Sequence, residues 1–222
     1  MSTKYPDCAF DLETLSTRVD AAIVSYGAVW FDRATGKIGP SIYHEIDFRS
    51  AVKNRHVDGD TVAWWVRQDA AKDLFSVDAK SLQAKMPLAT ALHALINGWR
   101  EYADHDCRPW GNGSSFDISI LEHAYEHGAV GMQHPWRATF NRVRDARTWF
   151  DAAAFHGFDV KTVKVVGTKH NALDDAKWLA QAIIEATRFI VPGAKGKPVA
   201  EWQEHGQEAA RAAPKKAADD DY

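Results

Sequence analysis

At 222 residues, with 45% apolar and 26% charged side chains, the chain has ordinary globular composition, which excludes a disordered or collagen-like polymer and suits one α/β domain. The net charge of −3 resides from Glu201 onward, where six acids face three bases; residues 1–200 are neutral, which excludes a uniformly basic protein that coats nucleic acid. No apolar run approaches the ~18–20 residues of a membrane span, the opening MSTKYPDC has no signal-peptide apolar core, and Cys8 and Cys107 are too few for a disulfide framework or a CxxC zinc site, so a soluble, cytoplasmic protein is expected.

Asp7–Leu12 is a short apolar run ending in polar residues and predicts a strand. Ala22–Phe31 is apolar on both alternating faces, as in a strand covered on two sides. After the ATGK turn, Ser41–Phe48 alternates as a third strand, and the three form a meander. A helix is predicted over Thr61–Gln68 with Asp60 as its N-cap, then a second near Ala70–Gln83. Pro87 opens an amphipathic helix carrying Leu88, Leu92, Leu95, Ile96 and Trp99. Arg108–Asn112 reads as a strand ending in the Gly111-Asn112-Gly113 turn, with Ser114 and Ser115 capping a helix over Phe116–His127. The last helix runs from Ala172 to Phe189, stopped by Pro192 and Gly193. Strands first, then strands and helices mixed, imply α/β layers around a central mixed sheet. The domain is expected to span residues 1–202, with an Ala/Lys/Asp-rich flexible tail over 203–222.

Three clusters carry candidate chemistry. Asp11 and Glu13, at i and i+2 near a strand end, project from one face roughly 7 Å apart at Cα, where two anions repel unless a cation lies between them. Asp117 falls in the first helical turn after a Gly-rich turn, a place where α/β sheets hold ligands but also where the helix dipole alone favours an acid. His170-Asn171-Ala172-Leu173-Asp174-Asp175 opens the last helix: Asn171 is a good N-cap and Asp174 can serve as a capping-box acid, which leaves His170 and Asp175 unexplained. Histidine is the side chain best suited to take a proton from water at neutral pH.

The words Phe10-Asp11-Leu12-Glu13-Thr14, Gly113-Ser114-Ser115-Phe116-Asp117 and His170-Asn171-Ala172-Leu173-Asp174-Asp175 together resemble the DEDDh branch of the RNase H-like 3′–5′ exonucleases. FDLETLST, TVAWWVRQ at Thr61–Gln68 and RDART at Arg144–Thr148 look like the phage and bacterial group of that branch. The resemblance implies a central mixed five-stranded sheet flanked by helices, and release of nucleoside 5′-monophosphates from 3′ ends of single-stranded RNA or DNA. It further implies that Asp11, Glu13, Asp117 and Asp175 hold two divalent cations, Mg²⁺ or Mn²⁺, with His170 as general base and Glu13 also in the chemistry. Hydrolysing a phosphodiester builds negative charge on attacking and leaving oxygens, which hard cations held by carboxylates can stabilise. The same family includes dimers, so a homodimer is among the expected partners.

Residues flanking the motifs complete the expected substrate site: Thr14, Leu15, Ser115 and Phe116. Trp64 and Trp65, about 100° apart on a helix, predict one core and one partly exposed ring, the exposed one able to stack on a base. Gln68 lies one turn on and could meet the same nucleotide. Seven bases against three acids between Arg137 and Lys169 suit a short anionic ligand or a solvated surface, and Arg142, Arg144 and Arg147 could bind phosphates, Arg147 equally well an internal acid. Two other classes stay open. His123, Glu126 and His127 match H-x-x-E-H, a zinc metallopeptidase signature needing Glu201 or Glu204 as a further ligand; the same fold could also serve as a noncatalytic nucleic-acid binder.

Overall fold

A computed structural model describes residues 3–76, 84–127, 131 and 133–191. The expected domain limit at 202, the tail 203–222 and the helix stop at Pro192 and Gly193 lie outside them. Five strands form one sheet: β1 (Tyr5–Thr14), β2 (Ile23–Asp32), β3 (Lys37–Glu45), β4 (Ala103–Gly111) and β5 (Arg144–Asp145), in the order β3-β2-β1-β4-β5. β1 pairs antiparallel with β2 and parallel with β4; β2–β3 is antiparallel and β4–β5 parallel. The sheet is therefore mixed, with β1 at its centre.

Period-two alternation sorts β1 between two layers. Cys8, Phe10 and Leu12 join Tyr26, Trp30 and Trp136 in a core under helices α4 (Leu88–Tyr102) and α5 (Asp117–His127). On the opposite face Ala9, Val29, Phe31 and Trp110 pack with α6 (Ala146–Ala154) and α7 (Ala172–Ile190) through Phe150, Ala176, Leu179 and Ile183. Asp11 and Glu13 share the parity of Ala9. They therefore face the layer that holds α7.

Gly27, opposite Asp11 in the register, sets how closely α7 approaches. A Cβ there would lie 2.2 Å from the Ala172 carbonyl oxygen and 2.7 Å from Leu173 Cα. Only a residue without a side chain lets the start of α7 rest on the sheet at this point.

Several expected boundaries shift, each for a local reason. β1 and β4 are longer than predicted because β1 is paired on both sides. β3 runs over Lys37–Glu45 rather than Ser41–Phe48, since Asp32 and Gly36 (φ +77°) close the turn early. Asp47 then caps a helix the sequence reading lacked, α1 (Phe48–Val52), by accepting from Ser50 N–H at 3.0 Å. α2 spans Gly59–Trp65 and is capped by Asp58, not Asp60: Asp58 accepts from the Thr61 N–H and hydroxyl at 2.8 and 2.9 Å. The helix predicted near Ala70–Gln83 is α3 (Ala71–Leu74) within the described residues; 77–83 lie outside them. β5 and α6 were not anticipated.

Candidate active site

The last strand-to-helix approach brings the motifs together. Among the described residues, Glu13, His170 and Asp175 each offer a ligand atom within 4.8 Å of the other two. Asn171 caps α7 as expected, accepting from the N–H groups of Leu173 and Asp174 at 3.1 and 3.2 Å. His170, just outside the helix, adopts a left-handed backbone (φ +64°), a conformation uncommon for a residue with a Cβ. The Asp175 carboxylate holds it there by accepting the His170 N–H at 3.0 Å.

Asp174 does something else. It forms no capping box with Asn171; its carboxylate reaches back to the Thr168 N–H at 2.9 Å and lies 3.7 Å from Lys177. It fills the space that a side chain at Gly167 would need, and so fixes the loop before His170.

Asp117, at the start of α5, is buried and accepts the Leu12 N–H at 3.2 Å, tying that helix to the end of β1. Asp11 lies within electrostatic reach of Asp117, Glu13 and Asp175. Burial, then mutual repulsion, pushes the Glu13 carboxyl up to about 8 and raises Asp11 well above the carboxylate range. Asp117 is pushed up to about 7, chiefly by burial, against the relief of the Leu12 N–H and the Arg147 charge. Asp175 is raised by burial, and its bond from His170 opposes the shift. His170 is lowered, by burial first and then by Lys169. Four acids that resist ionising together, beside a neutral imidazole, fit hard divalent cations by donor chemistry.

A cavity of about 500 Å³ opens beside Glu13, lined by Leu12, Thr14, Trp64, Trp65 and Phe116 and by Ser16, Thr17, Asp58, Asp60 and Thr61. Of the residues expected to contact substrate, Thr14, Trp64, Trp65 and Phe116 line this cavity. Trp65 is only 2% exposed, its indole N–H donating to the Thr14 carbonyl at 2.8 Å, whereas Trp64 is 37% exposed. The His170 ring meets Trp64 and Trp65 edge-on, centroids 4.9 and 6.2 Å apart, so the aromatic pair also buttresses the imidazole.

Three expected contacts fall elsewhere. Leu15 is 2% exposed and belongs to the core, because the β1–β2 register shifts at Glu13/Thr14 and its N–H bonds the Ala22 carbonyl. Gln68 lies beyond the end of α2, its amide donating to the Trp64 carbonyl at 3.3 Å. Ser115 is exposed on the turn outside the cavity lining. Arg147 is exposed, its guanidinium beside Gly113 and acting on Asp117, while Arg142 pairs with Asp106 and Arg144 donates to the Asn141 and Val143 carbonyls. Of the lining, Ser16, Thr17, Asp58, Asp60 and Thr61 were missed by the sequence reading.

Solved structures of low sequence identity share the fold. S. pombe Pop2p in its Mg²⁺- and Mn²⁺-bound form matches with TM-score 0.51 and 12% identity over 82% of this chain and 83% of that one. Cell-death related nuclease 4 matches at 0.52 and 11%, over 82% and 64%, and the E. coli ExoI–ssDNA complex at 0.51 and 14%, over 84% and 40%. No curated protein matches the sequence. The fold is that of the RNase H-like DEDDh exonucleases. Residues 7–187 match the family described as 3′-5′ exoribonuclease Rv2179c-like domain, and the chain belongs to it. It is a 3′–5′ exonuclease.

That assignment removes the metallopeptidase and binder alternatives. Glu126 of the H-x-x-E-H helix is ion-paired with Arg137, and Glu201 and Glu204 lie outside the described residues. Among the described residues no helix is long and apolar enough to cross a membrane.

Proposed function

We propose that Asp11, Glu13, Asp117 and Asp175 hold two divalent cations, Mg²⁺ or Mn²⁺, and that the enzyme removes nucleoside 5′-monophosphates from single-stranded RNA or DNA 3′ ends. The observation that carries this reading is the convergence of Glu13, His170 and Asp175 within 4.8 Å, with Asp117 and Asp11 beside them. When bound, the ions supply positive charge beside the attacking and leaving oxygens of the phosphodiester. His170 takes the proton from the attacking water. Its left-handed backbone, the Asp175 bond and the Trp64/Trp65 rings hold the imidazole in place. The cavity beside Glu13 receives the terminal nucleoside against the Trp64 and Phe116 rings, and Arg147 meets backbone phosphate.

Two expected results follow from the charges. Carboxyls raised above their unfolded values of 3.8 and 4.5 stabilise the fold while protonated, and that contribution is lost as pH rises toward the values near 7 for Asp117 and 8 for Glu13. In chelator, the melting temperature therefore falls by roughly 5 °C or more between pH 5 and 8.5, and Mg²⁺ or Mn²⁺ restores more of it at the higher pH. Calorimetry in both buffers checks this, and a metal-free melting temperature that rises over the window contradicts it.

The rate is expected to rise with pH along a limb centred below histidine's ordinary 6.5, since His170 is lowered. His170→Ala removes that limb and cuts turnover at least about 10²-fold, with substrate binding largely spared. A pH–rate profile of the variant that keeps the limb excludes His170 as the base.

A further inference from the structure

Glu13 has polar neighbours across the sheet. In the strand register it stands opposite Ser25 on β2, and Ser25 stands opposite Glu45 on β3, the edge strand. The next row along is Asp11, Gly27 and Tyr43. Residues directly opposite one another share a face. Glu13 meets His170 and Asp175, and Gly27 meets the start of α7, so Ser25, Tyr43 and Glu45 extend the same face from the reaction centre to the edge of the sheet.

Two of these three side chains are committed. The Tyr43 hydroxyl donates to Glu45 at 3.0 Å. The Lys85 ammonium, on a side chain that is almost fully enclosed, lies 4.0 Å from the same carboxylate and donates to the Leu74 and Ser76 carbonyls. Ser25 differs: it is 1% exposed, and its hydroxyl is shielded from solvent without a hydrogen bond of good geometry. Buried hydroxyls are rarely left so, because burial removes the water that would otherwise pair with them. Two acceptors stand beside it. One is the Glu13 carboxylate, whose Cβ is about 5 Å away across the register. The other is the Tyr43 oxygen, whose own proton goes to Glu45 and which, as a neutral phenol, accepts more weakly than a carboxylate.

We propose that Ser25 is a positioning residue for Glu13: its hydroxyl donates to one oxygen of the Glu13 carboxylate and leaves the other to face a divalent cation. This rests on the reading above, that Glu13 holds such a cation. A glutamate has three side-chain torsions and two equivalent oxygens, so a donor fixed on the neighbouring strand decides which way the carboxylate lies. Glu45 cannot take the hydroxyl's place, since a carboxylate has no proton to donate and this one already accepts from Tyr43. Loss of a partner that orients a metal-binding carboxylate weakens metal binding about 10–100-fold. A hydroxyl merely left over from packing makes the opposite prediction: replacing it by hydrogen removes an unpaired polar group, and cation binding stays as it was.

The test titrates Mn²⁺ into the native protein, Ser25→Ala and Tyr43→Phe without substrate, following free Mn²⁺ by its electron paramagnetic resonance signal, and records melting temperatures in chelator. Ser25→Ala is expected to bind Mn²⁺ at least about tenfold more weakly while its metal-free melting temperature equals or exceeds the parent's. Tyr43→Phe removes a hydroxyl aimed at Glu45 and is expected to bind Mn²⁺ as the native protein does. In activity assays Ser25→Ala needs correspondingly more Mn²⁺ for half-maximal rate and regains most of the native kcat at saturation. Native affinity in Ser25→Ala, an equal loss in Tyr43→Phe, or a Ser25→Ala protein that melts earlier in chelator overturns this inference and leaves the cation reading standing. A native protein that binds no Mn²⁺ overturns both.

Discussion

Asp175→Asn is expected to stop nucleotide release, by at least about 10²-fold, while the metal-free protein melts no earlier than the parent and even somewhat later. The neighbouring change Asp174→Asn is expected to keep most activity and to lose about 0.5–1 kcal/mol of stability. The two carboxylates differ because successive residues of a helix diverge by about 100°. Asp175 points to Glu13 and His170, in a cluster whose acids repel one another, so removing its charge relieves the fold and takes away one of the proposed cation ligands. Asp174 points away, to the Thr168 N–H and Lys177, where its charge is well placed and the reaction does not reach. Activity assays and chelator-buffer melts of both variants check this. Reversed activities would move the ligand to Asp174.

Gly27→Ala is expected to lower turnover about 10²-fold, with a smaller change in substrate affinity. The added methyl meets backbone, the Ala172 carbonyl at 2.2 Å, so no side chain can swing aside and the start of α7 must lift from the sheet. Overpacking of this kind costs about 1–3 kcal/mol. The larger effect is on geometry: His170 and Asp175 move with α7 while Glu13 stays on β1, and a misplacement on the order of 1 Å at a reacting centre costs about 10²-fold. Steady-state kinetics on a variant shown to be folded checks it. Unchanged turnover would mean that this contact does not position the site.

The contrast between Gly27 and the motifs shows what the sequence could carry. The acids and His170 stand out in the sequence only when their three words are taken together as a resemblance to the DEDDh exonucleases, since each cluster alone also has a plain structural reading, whereas the one-buried, one-exposed reading of Trp64 and Trp65 needs only the helical repeat. Gly27 has no such mark: its role depends on a helix that arrives about 145 residues later. Leu15 was placed in the site by adjacency to Thr14, but the register shift at Glu13/Thr14 breaks the alternation and sends its side chain inward. Asp58 and Asp60 are both acceptable caps by composition, and only the backbone of Asp58, extended before the first turn, decides between them. Gln68 depended on α2 continuing past Trp65. β5 is two residues long, too short for any periodicity to register, and α6 follows it directly under a cap from Asp145.

The central claim is that these carboxylates and His170 form a cation-dependent centre that shortens chains from the 3′ end. The most direct measurement incubates the protein with 5′-labelled RNA and DNA oligomers, with Mg²⁺ or Mn²⁺ or with chelator, and resolves the products by size. A ladder descending one nucleotide at a time from the full length, present with either ion and absent in chelator, is the predicted result. Immediate release of the labelled 5′ nucleotide, or an undiminished ladder in chelator, would contradict it.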